Sequence, residues 1–434
     1  MNWRFKYSLK LNGFPIEAAQ LEYLNLGSIK PNSGQRAFVR FKDFEKNNPY
    51  YQSFLKSKGV NTISNWDEIP IIQKKDFQIN IVEIISGGSL KKLHVHSTSG
   101  STGTPFYFAK NKFCHAMTWA HTDSKLLEHG IDIGSSLQAR FYGIPLGGFK
   151  YYKERFKDFL GARVRYPVFD LSDENLLKVL EDFKVKKFEY INGYTSSLVV
   201  FAKFLIARNI VLKEVCPTLK LVMPTSEVCD DIDRKNLEKG FGVKVVNEYG
   251  AAELDVIAME DVDGDFVLNE ETLFVEILND DNFPVKPGEE GKVIITALYN
   301  DAMPFIRYEI GDRAVLSEKV KNSRRVLEKV IGRTNDIIKL PSGKVSPGLT
   351  FYYITKSLLE EVGNVLEFKI IQTQLNEFII EYVSSKELSQ GTKVSLQNAM
   401  DNYLEKGLSV NLKRVAFVSR TKAGKLKHFI SLVS

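Results

Sequence analysis

The chain has 434 residues, 44% hydrophobic and 26% charged. That length calls for two or three domains rather than one core, and the composition excludes disorder as the default. Its 59 basic and 53 acidic residues leave a net charge of +6, a mild excess that suits an anionic small molecule and makes no case for nucleic acid.

The stretch 1–15 mixes polar, basic and apolar residues and has no signal-peptide core. The first 80 residues read as helices with polar joints, one at Pro49-Tyr50-Tyr51 and one at Trp66-Asp67-Glu68-Ile69-Pro70. A helix start is expected at Lys74-Lys75-Asp76. Residues 93–97 alternate like a strand and run into a loop of Ser, Thr and Gly, after which Phe106-Tyr107-Phe108 reads as a second strand. Helical spacing covers 171–183 and 196–208, and short apolar runs at 188–191, 219–223 and 243–246 lie between and after them. Helices alternating with short buried strands predict an α/β core. The most apolar helical stretch, 198–207, is interrupted by Lys203 and is too short to span a bilayer, so no integral membrane segment is expected. Strands are predicted at 293–296 and 314–316, with turns at Pro287-Gly288 and Gly311-Asp312. Beyond Gly332 the pattern restarts with a helix over 349–359, strands over 367–372 and 377–382, and a helix over 393–405. This predicts an N-terminal domain, 1–332, and a smaller α+β unit, 333–434. Cys114, Cys216 and Cys229 form no CxxC pair and no disulfide framework; a cytoplasmic location is the simplest expectation.

The strongest local signal is Ser97-Thr98-Ser99-Gly100-Ser101-Thr102-Gly103-Thr104-Pro105. Glycines let a backbone turn tightly and bring its N–H groups to a phosphate, and hydroxyls add donors. The spacing is not that of a Walker A loop, and a stretch of this composition standing alone is also what a flexible linker looks like. Four further segments go with it: Thr225-Ser226-Glu227 and Tyr249-Gly250-Ala251-Ala252-Glu253 after apolar runs, Arg307-Tyr308-Glu309-Ile310-Gly311-Asp312, and Gly332-Arg333-Thr334-Asn335-Asp336-Ile337-Ile338-Lys339 at the domain joint. Near the end stands Arg420-Thr421-Lys422-Ala423-Gly424-Lys425. Taken singly, these are ordinary turns and solvated charges. His94 and His96, on one face of a strand, read as ordinary strand histidines rather than metal ligands.

In order and spacing these segments resemble the adenylate-forming superfamily, and most of all its phenylacetate–coenzyme A ligase and CapK-like capsule-biosynthesis branch. Pro49-Tyr50-Tyr51, Ile69-Pro70 with Lys74 and Asp76, Arg140-Phe141-Tyr142-Gly143 and Tyr190-Ile191-Asn192-Gly193-Tyr194 are similar to that branch. The resemblance implies a mobile C-terminal lid and a role at each motif. Ser97, Thr98, Ser99, Gly100, Ser101, Thr102 and Gly103 would hold the ATP phosphates. Ser226 and Glu227 would flank adenine, Tyr249 and Gly250 would lie beside it, and Asp312 would accept from the ribose hydroxyls. Arg333 would contact ribose or phosphate, Glu253 would ligate Mg²⁺, and Lys425 would reach the carboxylate and α-phosphate. Phe141, Tyr142 and Tyr194 would line the acid pocket. The partners implied are ATP, Mg²⁺, a small carboxylic acid, and a thiol or amine acceptor: coenzyme A, a carrier protein or an amino sugar. Three functions follow as alternatives: a ligase of cell-surface polysaccharide synthesis, a catabolic aryl-acid coenzyme A ligase, and a non-catalytic nucleotide-binding scaffold. The sequence departs from the branch at Ser101, Asn335 and Ser419, and in a shortened run after Gly343. Nothing in the sequence bears on oligomeric state.

Overall fold

A computed structural model gives the architecture. It describes residues 1–27, 31–60, 62–85, 90–97, 106–142, 148–168, 171–333, 337–343, 345–347, 354, 365–420 and 426–433. The strands are β1 (Ile72–Gln73), β2 (Leu93–Ser97), β3 (Tyr107–Asn111), β4 (Gln138–Phe141), β5 (Arg163–Tyr166), β6 (Tyr190–Tyr194) and β7 (Leu221–Thr225). There follow β8 (Lys244–Val245), β9 (Glu248–Ala251), β10 (Asp255–Glu260), β11 (Phe266–Leu268), β12 (Leu273–Leu278), β13 (Glu290–Ala297), β14 (Tyr308–Lys321) and β15 (Arg324–Arg333). The last are β16 (Ile337–Lys339), β17 (Val345–Pro347), β18 (Val365–Gln374), β19 (Glu377–Ser384), β20 (Ser409–Arg414) and β21 (Phe429–Ser431).

The α/β core is a five-stranded sheet in the order β5-β4-β6-β7-β8, with every neighbouring pair parallel. One face carries a phenylalanine-rich core under the helices Asp173–Val185, Thr195–Ile206 and Asp231–Phe241, with Phe141, Phe183, Phe188, Phe201 and Phe241 all buried. Its other face packs Tyr190, Leu221 and Met223 against Val246, Val256 and Met259. Local signals set the helix ends. The Asn111 side chain caps the helix Lys112–Glu128, and Asp230 caps Asp231–Phe241, which stops where Gly242 takes φ 66°.

A larger, mainly antiparallel sheet runs β12-β13-β14-β15-β11-β10-β9, with β1 pairing β14 in parallel. Gly311 and Asp312, expected as a turn, lie inside the fourteen-residue strand β14. The Gly-Asp signal is real, since Gly311 has φ 87°, and the β13–β14 register shifts between Lys292 and Ile294, opposite this point. Pairing on both edges carries the strand through a bulge where an isolated segment would reverse. Just before β14, Arg307 is held with φ 46°, fully buried. Its guanidinium pairs with Glu276 at 3.2 Å and donates to the Ile69 carbonyl at 2.9 Å. The joint read at 66–70 is thereby fixed to the start of β14.

The C-terminal residues have their own apolar cluster, which includes Ile338, Leu340, Ile370, Phe378, Ile380, Leu396, Met400 and Phe429. It lies between the four-stranded sheet β20-β19-β18-β21 and the helix Gln390–Tyr403. The helix expected over 349–359 falls outside the described residues except for Ile354. Among the described residues, no helix is long and apolar enough to cross a membrane.

Candidate active site

The hairpin β9–β10 positions the first acidic residue. A Cβ on Gly250 would lie 2.5 Å from the Asp255 carbonyl oxygen, so only glycine lets the two strands close here. Asp255 itself sits at φ 62°. The tight turn holds Glu253 buried, with its Oε1 accepting from the Tyr308 hydroxyl at 3.1 Å. On the same hairpin the Tyr249 hydroxyl donates to Asp312 Oδ2 at 2.8 Å. Tyr308 and Asp312 both belong to β14, so two tyrosine hydroxyls pin the hairpin to that strand and bring Glu253 and Asp312 to one site. Asp312 also stands opposite Arg333 in the β14–β15 ladder. The Arg333 side chain lies outside the described residues.

Lys110, which sequence reading passed over, joins this hairpin to the serine- and glycine-rich segment. It lies on β3, the strand that follows 97–105, and its side chain is 2% exposed. Its ammonium donates to the Ala252 carbonyl at 3.0 Å and pairs with the Asp255 carboxylate at 2.7 Å. Burial by itself would raise the Asp255 carboxyl. The Lys110 charge, with hydrogen bonds from Lys110 and Thr118, overcomes that and holds it below the usual carboxylate range. The available signal was a lysine ending the apolar run 106–109, where a solvated residue would alternate outward.

The carboxyl ends of β4, β6 and β7 lie side by side in the parallel sheet. Strand order reverses between β4 and β6, where open α/β sheets place ligands. The two strands approach closely at Gly193, where a Cβ would sit 2.6 Å from that of Phe141. Tyr142 and Tyr194 face each other there with ring centroids 4.6 Å apart. Phe141 does not join them. It is fully buried against Tyr166 and Phe201 and packs the core, because successive residues of a strand point to opposite faces. Thr225 ends β7 and donates to Glu248 at 2.7 Å. Ser226 follows with φ 67°, exposed.

Glu227 is the junction with the C-terminal residues. Its two carboxylate oxygens accept from the backbone amides of Ser196, at 2.7 Å, and Leu426, at 2.9 Å. Arg420 donates to the Ser196 hydroxyl at 3.0 Å and pairs with Glu367. Lys203 donates to the Val365 carbonyl at 3.1 Å. Residues on both sides of 421–425 are thus fixed beside the carboxyl end of β7. Lys425 itself, residues 334–336, and Thr98, Ser99, Gly100, Ser101, Thr102 and Gly103 lie outside the described residues. Ser97 ends β2 opposite Tyr107.

His94 stacks on His115 with ring centroids 4.1 Å apart. Burial pushes the His115 imidazole down to about 4, so it is neutral at pH 7. Among the described residues, no group of three or more His, Cys, Asp or Glu is placed to hold a metal ion.

No family model matches the chain. Protein CapK of Staphylococcus aureus is 24% identical over 369 residues, covering 80% of this chain and 78% of that protein. Phenylacetate-coenzyme A ligase of Escherichia coli (strain K12) is 24% identical over 354 residues, covering 77% and 76%. Among solved structures, 2-hydroxyisobutyryl-CoA ligase in its postadenylation state matches with TM-score 0.66 at 16% identity, over 92% of this chain and 88% of that one. The same ligase in the thioesterification state gives 0.55 at 17% identity, over 92% and 89%. The amide bond synthetase McbA from Marinactinospora thermotolerans gives 0.54 at 16% identity, over 78% and 68%. The chain is therefore a homologue of CapK and of phenylacetate-coenzyme A ligase, and it has the fold of the adenylate-forming acyl-CoA ligases, a large domain followed by a smaller C-terminal one.

Proposed function

We propose that this chain is an AMP-forming carboxylate ligase. It condenses a small carboxylic acid with ATP, releasing pyrophosphate, and passes the acyl group of the resulting acyl-adenylate to a thiol or amine with loss of AMP. The observation that carries this reading is the pinning of Glu253 and Asp312 to one site by Tyr308 and Tyr249; in this reading the strand-order reversal at the carboxyl ends of the parallel sheet forms the acyl crevice.

In this reading Asp312 takes the ribose hydroxyls, since a carboxylate suits two vicinal donors. Part of its capacity is already used by Tyr249, whose ring is left to border the adenine. Glu253 supplies one hard oxygen in a buried position. A single carboxylate fits Mg²⁺ that keeps waters and is shared with phosphates, and does not fit a cation that needs an all-protein cage. Bound there, Mg²⁺ would neutralise phosphate charge as an acid anion approaches the α-phosphorus. Lys425 would add an ammonium to the same oxygens, and residues 97–103 would cradle the β- and γ-phosphates. Residues 333–434 would act as the lid. Two observations support that: the bond from Leu426, next to Lys425, to Glu227, and the higher TM-score to the postadenylation form than to the thioesterification form. Coenzyme A is the acceptor suggested by the acyl-CoA ligases. An amine, as in cell-surface polysaccharide synthesis, is suggested by the CapK homologue and the amide bond synthetase.

The test is ATP–pyrophosphate exchange across a panel of carboxylic acids, followed by product analysis with coenzyme A and amino sugars. At least one acid should support exchange, and Glu253→Gln should lower it by roughly 100-fold or more while the fold is kept. Intact ATP binding with no exchange for any acid would replace this reading with a non-catalytic nucleotide-binding protein. Undiminished exchange in Glu253→Gln would remove the metal role.

A further inference from the structure

The acyl end of the crevice is more polar than aromatic side chains alone would make it. In the sheet register Arg140 lies beside Arg165 on β5 and Asn192 on β6, so these side chains emerge on one face, opposite the core that takes Phe141. Arg165 is neutralised by Asp158 at 2.8 Å and Glu154 at 3.2 Å. Arg140 has no such carboxylate partner among the described residues: it donates to the Tyr142 hydroxyl, and its Nε is buried without a hydrogen-bond partner. Its guanidinium carbon lies 4.3 Å over the Tyr142 ring, one of the two tyrosines at the strand-order reversal. Glu248, close enough to feel the Arg140 charge without bonding it, accepts from Thr225 at the end of β7. Burial pushes its carboxyl up, against the pull of Thr225 and Arg140.

A guanidinium and a carboxyl partly withdrawn from water and not paired with each other are costly. An apolar acyl group entering this space would strip their remaining water and return nothing. A hydroxyl is the group that answers both at once, because it accepts from Arg140, which can only donate, and donates to Glu248. Resting on the reading of the crevice as the acyl site, we propose that Arg140 and Glu248 are specificity-determining residues that select a hydroxylated carboxylic acid over its apolar isostere. A site built to bond a hydroxyl rejects the analogue lacking it far more strongly than an apolar pocket rejects an added hydroxyl.

Acyl-sulfamoyladenosines in matched pairs test this by calorimetry: lactoyl with propionyl, 3-hydroxybutyryl with butyryl, and 4-hydroxyphenylacetyl with phenylacetyl. The protein should bind the hydroxylated member of at least one pair tighter by roughly 10-fold or more. Arg140→Met should erase that preference while leaving AMP affinity and melting temperature near those of the parent. Should Arg140→Met fail to fold, Glu248→Gln and Arg140→Lys serve in its place, each expected to narrow the preference. Equal or tighter binding of the apolar member in every pair would overturn the inference, as would a preference that survives all three substitutions. Discrimination in binding without pyrophosphate exchange for any acid would sustain the selectivity and remove the ligase reading. Exchange without discrimination would do the reverse.

Discussion

Single residues divide sharply by whether their partners are local. Glu253 and Asp312 could be singled out from motifs, but what holds them, Tyr308 and Tyr249, comes from elements more than fifty positions away. Lys110 illustrates the harder case, because the apolar run before it hints at burial but nothing near it in sequence names its partners, Ala252 and Asp255. Lys110→Met is expected to cost about 3–5 kcal/mol of stability, since it strands the Asp255 carboxylate. Lys110→Met with Asp255→Asn, which removes the charge and tolerates φ 62°, should recover much of that. Thermal melts of the three proteins decide it. Because Lys110 also fixes the carbonyl preceding Glu253, both variants should need more Mg²⁺ for half-maximal exchange, an effect that a purely structural lysine would not produce in the restored double variant.

At the scale of elements, alternation of helices and short apolar strands points to the parallel sheet, and β6, β7 and β8 fall within three residues of the predicted runs, whereas β4 and β5, each carrying two residues too polar to form an apolar run, have none. The sequence misleads where pairing overrides a local signal, as at Gly311-Asp312, which two neighbouring strands keep extended. The resemblance likewise puts Phe141 in the acid pocket, and the strand's alternation sends its ring into the core. Gly193 marks where two elements nearly touch. Gly193→Ala should push β6 from β4, lowering stability by about 1–3 kcal/mol. It should also raise the KM for the acid more than that for ATP, since the crevice widens on the acyl side. Equal changes in both constants would show that the close approach serves the fold alone.

For the whole molecule, the contact of Leu426 with Glu227 joins the C-terminal residues to the segment that follows β7. Glu227→Ala should slow acyl-adenylate formation by roughly 10-fold or more, the loss expected from hydrogen bonds to a charged group. The second step, assayed from a synthetic acyl-adenylate, should be spared. Lys425→Ala should show the same asymmetry more strongly. Equal damage to both steps would exclude a lid that serves only the first. Acid lability is a second whole-molecule property. Burial pushes His121 down to about 3 and His115 to about 4, well below an unfolded value of about 6.5. Between those values the unfolded chain binds more protons, so stability falls as pH drops below about 6.5, by up to about 1.4 kcal/mol per pH unit for each histidine. Melts at pH 7.5 and 5.5 should separate less in His121→Gln, which keeps a polar partner for Tyr23, now 3.0 Å from His121.

What the sequence determined by itself is whatever depends on neighbours along the chain: strand and helix periodicity, capping at Asn111 and Asp230, and the order of motifs that relates this chain to adenylate-forming ligases. What only the tertiary structure decided depends on groups brought together from a distance. These are the hydroxyls that pin Glu253 and Asp312, the lysine beneath the hairpin, the core placement of Phe141, and Arg140 near Glu248 with no carboxylate bonded to it. The physical reason is that periodicity and capping are set by backbone geometry over a few residues. Burial, pairing and charge balance are set by which side chains share a low-dielectric space, and no local stretch of sequence records that.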